Sequence, residues 1–224
     1  MPSLSTTIVV YNGNEITVPA ADAITGVMSK YGIGLSESQI SQIQRYIACL
    51  VFWNQRVSLT SVSDPGEILE RHFAECLLGA PLIRSVEGRL ADVGTGPGFP
   101  GLALKIAHPK LQALLIERNT KKCAFLNEAI RSLDLSLISV IRSDYASISP
   151  LEAKFDYVTA RALGDYKNLL RWASGRLLSN GEVMLWLGAQ EFLRLSQSTG
   201  WRWDPPLPIP RSQRRVILMG HIIP

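Results

Sequence analysis

The stretch from Leu90 to Gly101 decides the fold of this chain, and it reads LADVGTGPGFPG. It opens as a short, mostly apolar run typical of a buried strand, and glycines then follow at alternate positions. Glycines permit a tight turn in which a ligand can approach the backbone closely, and a helix behind such a turn presents free N–H groups. The stretch therefore predicts a strand, a turn and a helix that together bind a nucleotide-like ligand.

The same alternation of short apolar runs and helical stretches continues through residues 89–224. It predicts strands at Arg89–Val93, Gln112–Glu117, Ser136–Arg142, Phe155–Ala160 and Val183–Leu187. A last run, Arg214–Ile223, follows without a long helix, so we expect it to close the sheet antiparallel. Residues 205–210 contain too many prolines for a helix or a central strand and are predicted to be an extended connector. The pattern indicates an α/β fold with a doubly wound, Rossmann-like sheet.

Residues 1–88 have a different pattern. Residues 1–35 form an N-terminal extension, with a small hairpin or a loose tail expected around Asn12-Gly13 and a helix after it. Ser36 and Gln39 form a capping box that opens an amphipathic helix, and Asp64 begins a second helix that is expected to end near residue 79. We therefore predict a small helical subdomain at 36–88, ahead of a Rossmann-like domain at 89–224.

Composition excludes several classes of protein. No apolar run reaches the roughly 18 to 20 residues of a membrane-spanning helix, and the first thirty residues lack the pattern of a secretion signal. The three cysteines, Cys49, Cys76 and Cys123, are widely spaced and lie near no histidine cluster. These features exclude a disulfide framework and a structural zinc site. We expect a cytoplasmic protein without a metal and without membrane contact.

Charge is distributed unevenly along the chain. Residues 1–88 hold five lysines and arginines against eight acidic residues, whereas residues 89–224 hold 18 against 11. The second part therefore carries an excess of seven positive charges. Such an asymmetry favours contact with a polyanion, although differently solvated surfaces would produce it as well.

Acidic residues at successive strand ends indicate which nucleotide-like ligand is bound. Glu117 ends the second strand of the sheet, where a carboxylate can accept hydrogen bonds from both hydroxyls of a ribose. Asp144 follows the third strand and could accept a hydrogen bond from an adenine amino group. Phe99 stands where the dinucleotide fingerprint has its third glycine, which disfavours a pyrophosphate cofactor. With Gly94 and Gly96 in the turn, these residues favour S-adenosylmethionine; the alternative is that Glu117 caps a helix and Asp144 is a loop residue.

The chain resembles the bacterial 16S rRNA guanine-N7 methyltransferase family, also called the glucose-inhibited division protein B family, from about residue 36 to residue 220. The matching stretches are Trp53-Asn54 with Leu59-Thr60, Glu67 to Phe73, Asp92 to Gly101, Lys121-Lys122 with Phe125-Leu126, Arg161-Ala162 and the basic final strand. The resemblance implies a class I S-adenosylmethionine-dependent methyltransferase. It further implies that the substrate is a guanine in the decoding-region stem-loop of 16S rRNA or of the assembled small subunit.

The resemblance also implies individual site residues. Carried over position by position, it places cofactor contacts at Gly94, Phe99, Glu117, Arg118, Asn119, Tyr145, Ala146 and Arg161. The chain departs from the family at three positions, with Ser58 in place of the usual asparagine, Ala146 in place of a frequent glutamate and Leu187 in place of a common lysine. The last departure removes a positive charge near the expected substrate cleft.

The chemistry of guanine N7 requires little of the protein. N7 has a lone pair and no proton, so methyl transfer needs in-line placement of two atoms and no general base. Arg161, at the end of the fourth strand, is the expected positioning residue; its alternative role is a salt bridge to Asp165 or Asp92.

Two basic pairs are the expected RNA contacts of a monomeric enzyme, namely Lys121 with Lys122 and Arg214 with Arg215. Two other functions remain open at this stage. One is an RNA-binding protein that keeps the methyltransferase fold without catalysis, and the other, disfavoured by Phe99, is a nicotinamide-dependent oxidoreductase.

Overall fold

The computed structural model describes residues 4–148, 154–212 and 214–223. It begins with a hairpin of strands β1 (Thr6–Tyr11) and β2 (Asn14–Pro19). Asn12 and Gly13 join the strands with φ values of 48° and 74°, the positive values that a two-residue type I′ turn requires. The predicted hairpin is therefore confirmed, and helix α1 (Ala21–Ser29) follows it.

The front helices begin where the capping signals predict. Helix α2 (Glu37–Asn54) opens with both hydrogen bonds of the capping box between Ser36 and Gln39. The second predicted helix is less regular than expected, because α3 (Pro65–Ile68) and α4 (Glu75–Leu77) are separated by a π-helical segment, Leu69–Ala74. Such wide turns are frequent at functional sites.

The remaining elements alternate between strands and helices. In chain order they are β3 (Arg89–Val93), α5 (Gly101–Ala107), β4 (Gln112–Glu117), α6 (Thr120–Ser132), β5 (Ile138–Arg142), β6 (Phe155–Arg161), α7 (Tyr166–Ser174), β7 (Leu177–Gly188), α8 (Ala189–Leu195), β8 (Trp201–Trp203), β9 (Leu207–Pro208) and β10 (Arg215–Ile222). Short 3₁₀ turns lie at Ala80–Leu82 and Tyr145–Ser147.

These strands form one sheet of eight strands with the order β5-β4-β3-β6-β7-β10-β8, and β9 pairs with β10 beside β8. Strands β3 to β7 are parallel, and β10 pairs antiparallel with β7. The α/β prediction and the antiparallel last strand are confirmed. Strand β10 is not the edge of the sheet, because β8 and β9 pair with its outer side. Part of the predicted connector is thus a short edge strand, where its prolines are tolerated.

Two strand boundaries differ from the sequence-based prediction by more than one residue. Strand β7 begins at Leu177, six residues early, and its register against β6 shifts between Phe155 and Tyr157. Gly181 lies in this irregular part, and a Cβ there would be 2.8 Å from the carbonyl oxygen of Phe155. Strand β5 begins after Leu137, whose φ of 55° is incompatible with an extended strand.

The front helices do not have a core of their own. Ile43 of α2 belongs to one buried cluster with Leu102 of α5 and Phe125 of α6, so residues of the front segment and the sheet domain are packed together. On the opposite face of the sheet, Leu169 of α7 packs in a second cluster with Val158 of β6. The domain boundaries after residues 35 and 88 therefore remain predictions from the sequence. No helix among the described residues has both the length and the apolar character needed to cross a bilayer.

Candidate cofactor and substrate site

A cleft of about 820 Å³ opens at the carboxyl ends of the parallel strands. Gly94 follows β3, Glu117 ends β4, Asp144 follows β5 and Leu163 follows β6, and all four line the cleft. The carboxyl ends of parallel strands meet at one edge of the sheet, which is where open α/β sheets bind ligands. The structure therefore brings together the strand-end residues that the sequence singled out.

The glycine-rich turn adopts a conformation that most residues avoid. Gly94 and Gly96 have φ values of 66° and 59°, in the left-handed region that favours glycine. The amides of Gly94 and Thr95 both donate to the carbonyl of Ile116 in β4, at 2.9 and 3.2 Å. These bonds tie the turn to the neighbouring strand and hold Gly94 at the wall of the cleft.

Close packing behind the turn depends on Gly101, a role that the sequence analysis missed. A Cβ at Gly101 would lie 2.6 Å from the Cβ of Asp92, so only glycine lets α5 approach β3 this closely. The sequence contains a signal for this role, because Gly96, Gly98 and Gly101 have the Gly-x-Gly-x-x-Gly spacing, whose third glycine permits close packing of helix and strand. This pattern begins at Gly96, whereas the comparison that places Phe99 at the third glycine begins at Gly94.

Asp92 has a structural role inside the turn. Its fully buried carboxylate accepts a hydrogen bond from the amide of Gly101 at 2.9 Å and another from the hydroxyl of Thr159 at 2.7 Å. Burial raises the pKa of this carboxyl to about 6, because the charged form loses its hydration. Asp92 thus joins β3, β6 and the start of α5, and it is not among the residues that line the cleft.

Glu117 lines the cleft at the end of β4. One carboxylate oxygen accepts a hydrogen bond from the amide of Gly96 at 3.1 Å, and the other accepts one from the amide of Asn119 at 2.8 Å. Each carboxylate oxygen has two lone pairs, so this leaves further acceptor capacity for ribose hydroxyls. The side chain of Asn119 caps α6 by accepting from the amides of Lys121 and Lys122.

The residues predicted near the adenine form the side of the cleft behind β5. Asp144 accepts a hydrogen bond from the amide of Ala146 at 3.0 Å and caps the 3₁₀ turn, and Arg118 lies 4.0 Å from it. The ring of Tyr145 makes an edge contact with Trp172, with centroids 5.9 Å apart. All five residues line the cleft.

Four of the predicted cofactor residues do not line the cleft, namely Gly96, Asn119, Arg161 and Phe99. Among them, Phe99 belongs to the buried core that includes the front helices. Its ring is 5% exposed and does not line the cleft. It packs against Tyr46, Phe73 and His72, with ring centroids 5.0 to 5.3 Å apart. Tyr46 also donates a hydrogen bond to the carbonyl of Pro97, so the front helices support the glycine-rich turn from behind.

His72 is neutral in this aromatic cluster. Burial, together with the positive charges of Arg161 and Arg71, lowers its pKa to about 4. Its Nε2 lies 3.0 Å from the hydroxyl of Thr60.

Arg161 forms a buried ion pair with a residue of the front helices. Its guanidinium lies 3.3 Å from the carboxylate of Glu75, and it donates to the sulfur of Cys76 at 3.2 Å and to the carbonyl of Arg71 at 2.9 Å. Arg215 of β10 pairs with the same carboxylate at 2.7 Å. Neither Asp165 nor Asp92, the partners considered from the sequence, fills this role. Glu75 could not be recognised from the sequence as the partner of Arg161, because the two residues lie 86 positions apart.

Arg161 and Arg215 also line a second cavity of about 380 Å³, which shares Ala162 with the cofactor cleft. Leu187 lines the second cavity as well, so the departure from the family's lysine lies where a substrate charge contact was expected.

The other predicted RNA-binding residues lie around the two cavities. Lys122 lines the cofactor cleft, and Lys121 is exposed beside it at the start of α6. Arg214 is exposed and directly precedes β10. Of the four predicted residues, Arg215 alone is held in a buried ion pair.

Comparison with known proteins agrees with this geometry. Residues 39–199 match the model of the GidB family, described as rRNA small subunit methyltransferase G. A protein named ribosomal RNA small subunit methyltransferase G from Roseiflexus castenholzii is 40% identical over 154 residues, which are 67% of this chain and 66% of that protein. Another of the same name from Stenotrophomonas maltophilia is 37% identical over 172 residues, covering 77% of this chain and 79% of the relative.

Solved structures share the fold at low sequence identity. A ribosomal protein L11 methylase from Lactobacillus delbrueckii has a TM-score of 0.59 at 18% identity, covering 68% of this chain and 79% of that one. The glycopeptide N-methyltransferase MtfA complexed with sinefungin has a TM-score of 0.56 at 12% identity, covering 68% and 94%. The class I methyltransferase fold is thereby confirmed. The match over residues 39–199 and the identity to these relatives establish that the chain belongs to the rRNA small subunit methyltransferase G family of S-adenosylmethionine-dependent enzymes.

Proposed function

We propose that this enzyme transfers the methyl group of S-adenosylmethionine to N7 of a guanine in the decoding-region stem-loop of 16S rRNA. The observation that carries the proposal is the pair of adjoining cavities. One is bordered by Gly94 and Glu117, which suit the cofactor, and the other by Arg161 and Arg215, which suit an RNA base and its phosphates. Ala162 borders both, so the donor and the acceptor of the methyl group can meet there.

The cofactor residues have distinct proposed roles. Gly94 and Gly96 give the methionine part access to the backbone, and Glu117 accepts hydrogen bonds from the ribose. Arg118, Asp144, Tyr145 and Ala146 border the adenine, with Asn119 holding the start of α6. Phe99 acts through the backbone of the turn, because its ring is packed among the front helices.

Arg161 is the proposed positioning residue for the guanine. Three of its five N–H donors are already engaged by Cys76, Arg71 and Glu75, which fixes the guanidinium plane and leaves two donors for a ligand. Burial lowers the pKa of the Arg161 guanidinium, but the contacts with Cys76 and Glu75 outweigh this effect and raise the pKa above its usual value. It therefore stays charged and cannot act as a base. The acceptor N7 carries no proton, so no base is required.

Replacing Glu117 with alanine should weaken S-adenosylmethionine binding by about 1.5 to 3 kcal/mol, the range for hydrogen bonds to a charged group. Isothermal titration calorimetry measures the loss directly. Glu87→Ala, which removes an exposed carboxylate paired only with Lys110, should bind the cofactor as the parent does. Equal affinities for the parent and the Glu117 variant would exclude the ribose role.

Replacing Lys121, Lys122 and Arg214 together with alanine should weaken RNA binding and flatten its salt dependence, because each lost phosphate contact reduces the salt slope by about one. Arg215 is left in place because its loss would also disturb Glu75. A matched triple variant of Arg84, Lys110 and Arg202 removes three charges at the opposite edge of the sheet. Filter binding at several salt concentrations should show a reduced slope for the first variant only; equal slopes would contradict the assignment.

The function itself is tested in vitro with purified protein, S-adenosylmethionine and 16S rRNA, offered free and as small subunits. Mass spectrometry of the digested RNA should find one N7-methylguanosine added per rRNA molecule. A protein that bound both RNA and cofactor without transferring a methyl group would instead be the inactive RNA-binding protein considered above. We further propose that the enzyme acts as a cytoplasmic monomer, which light scattering and cell fractionation would test.

A further inference from the structure

The second cavity combines positive and negative groups on different elements. Arg161 ends β6 and Arg215 begins β10, and both are held in place by Glu75. Glu191 of α8 borders the same cavity from another side. A ligand that fills this space therefore meets hydrogen-bond donors from the two arginines and acceptors from a carboxylate.

The carboxylate of Glu191 is available to a ligand. It makes no hydrogen bond or ion pair to any residue in the described part of the chain, unlike Glu75, which pairs with two arginines. It folds back over Gly188, where a Cβ would lie 2.7 Å from its Oε2 atom. Gly188 thus leaves the room that the carboxylate occupies beside the cavity.

Tyr166 connects the two charged sides. Its hydroxyl donates to the carbonyl of Trp186 at 3.3 Å, and its buried ring lines the cavity. Burial raises the pKa of this phenol, and the carboxylate of Glu191 raises it further while Arg161 opposes the rise. Arg161, Tyr166 and Glu191 all line this cavity, so one ligand that fills it can meet both charged groups.

Guanine is the base that matches this distribution of groups. Its O6 and N7 atoms are acceptors on one edge, whereas N1–H and the N2 amino group are donors on the next. Adenine presents an unprotonated N1 where guanine has a donor, so a carboxylate at that point would repel it. A base with N7 turned towards Ala162 and the cofactor would have its donor edge free for another wall of the cavity.

We propose that Glu191 is a specificity-determining residue that accepts hydrogen bonds from N1–H and the N2 amino group of the target guanine. This inference rests on the proposed function, and it adds a residue and a mechanism of base selection to it. A base that lacks these donors would leave the carboxylate of Glu191 without partners in the occupied cavity, which is how a site built for hydrogen bonds rejects a wrong ligand.

The test compares guanine with inosine, which keeps O6, N7 and N1–H and lacks the N2 amino group. The parent enzyme and the variants Glu191→Ala and Glu191→Gln are assayed on 16S rRNA carrying either base at the target position, as free RNA and in reconstituted subunits. The parent should prefer guanine by about tenfold or more in kcat/KM, the effect of one hydrogen bond to a charged group. Glu191→Ala should reduce that preference to about twofold or less, mainly by losing activity on guanine.

Two controls keep the outcomes distinct. Gln190→Ala, an exposed neighbour on α8, should retain the parent's preference. Cofactor affinity and melting temperature should be unchanged in Glu191→Ala; if that variant is unfolded, the Glu191→Gln ratio decides. A guanine preference that survives substitution of Glu191 overturns the inference and leaves the proposed function intact. Absence of methyl transfer by the parent to any of these substrates overturns the proposed function itself.

Discussion

Replacing Gly94 with valine should weaken S-adenosylmethionine binding at least about 100-fold, which is about 2.7 kcal/mol, and leave the protein folded. Gly94 has a φ of 66° and borders the cleft, and a Cβ there would lie 2.6 Å from the side chain of Leu163, which borders the cleft from the other side. Either the new side chain or a displaced Leu163 would then occupy space that the cofactor needs. Calorimetric titration measures the affinity.

A second glycine separates this effect from backbone strain. Gly200 has a φ of 81°, and a Cβ there would meet no heavy atom within 4 Å. Valine at either position costs about 1 to 2 kcal/mol in the left-handed region, so both variants should melt at reduced temperatures, Gly94→Val at the lower one because of its contact with Leu163. Gly200→Val should still bind the cofactor like the parent. Parental affinity in Gly94→Val would place the cofactor somewhere else.

Replacing Arg161 with alanine should lower the single-turnover methyl-transfer rate by about 100-fold, because a base that is misplaced by about 1 Å loses that much. It should also destabilise the fold by about 3 to 5 kcal/mol, since removing one partner leaves Glu75 buried with an incomplete set of counter-charges. Arg161→Lys should not restore the rate, because an ammonium group lacks the planar, forked donors of arginine. Rapid-quench assays and urea unfolding measure the two effects.

The double variant Glu75→Gln with Arg161→Ala distinguishes positioning from folding. It removes the buried carboxylate that Arg161→Ala leaves with Arg215 as its remaining ion-pair partner, so it should recover part of the lost stability without recovering the rate. A double variant that regained the parental rate would show that Arg161 acts only through stability.

The pH dependence of the same rate should be flat between about pH 7 and 8.5. His72 has a pKa of about 4 and stays neutral throughout this range, and Asp92, with a pKa of about 6, is already mostly ionised. Arg161→Ala should be slower but equally flat. A sigmoidal profile rising near pH 7 would reveal a general base and contradict the mechanism.

The strand-end residues of the fold could be predicted from the sequence because they depend on local patterns. Apolar runs marked β3, β4 and β6 almost to the residue, and Glu117 could be placed because the ends of parallel strands share one edge. The early start of β7 was missed because the residues around Gly181 look like a turn in the sequence. Only the pairing of Leu177 with Phe155 shows that the strand begins before them.

The supporting residues of the site could not be predicted, because they depend on contacts distant in sequence. Glu75 is recognisable as the partner of Arg161 only once the front helices are packed against the sheet. The same is true of Tyr46, which is buried and supports the glycine-rich turn. In the sequence, Tyr46 is one more apolar position of an amphipathic helix.

The most direct measurement of the central claim is the methylation state of 16S rRNA in cells from which the gene has been deleted. Mass spectrometry of rRNA fragments should find one guanine of the decoding-region stem-loop without its N7 methyl group. A plasmid that supplies the parent protein should restore the modification, and one that supplies Gly94→Val should not. An rRNA that remains fully N7-methylated in the deleted strain would contradict the account.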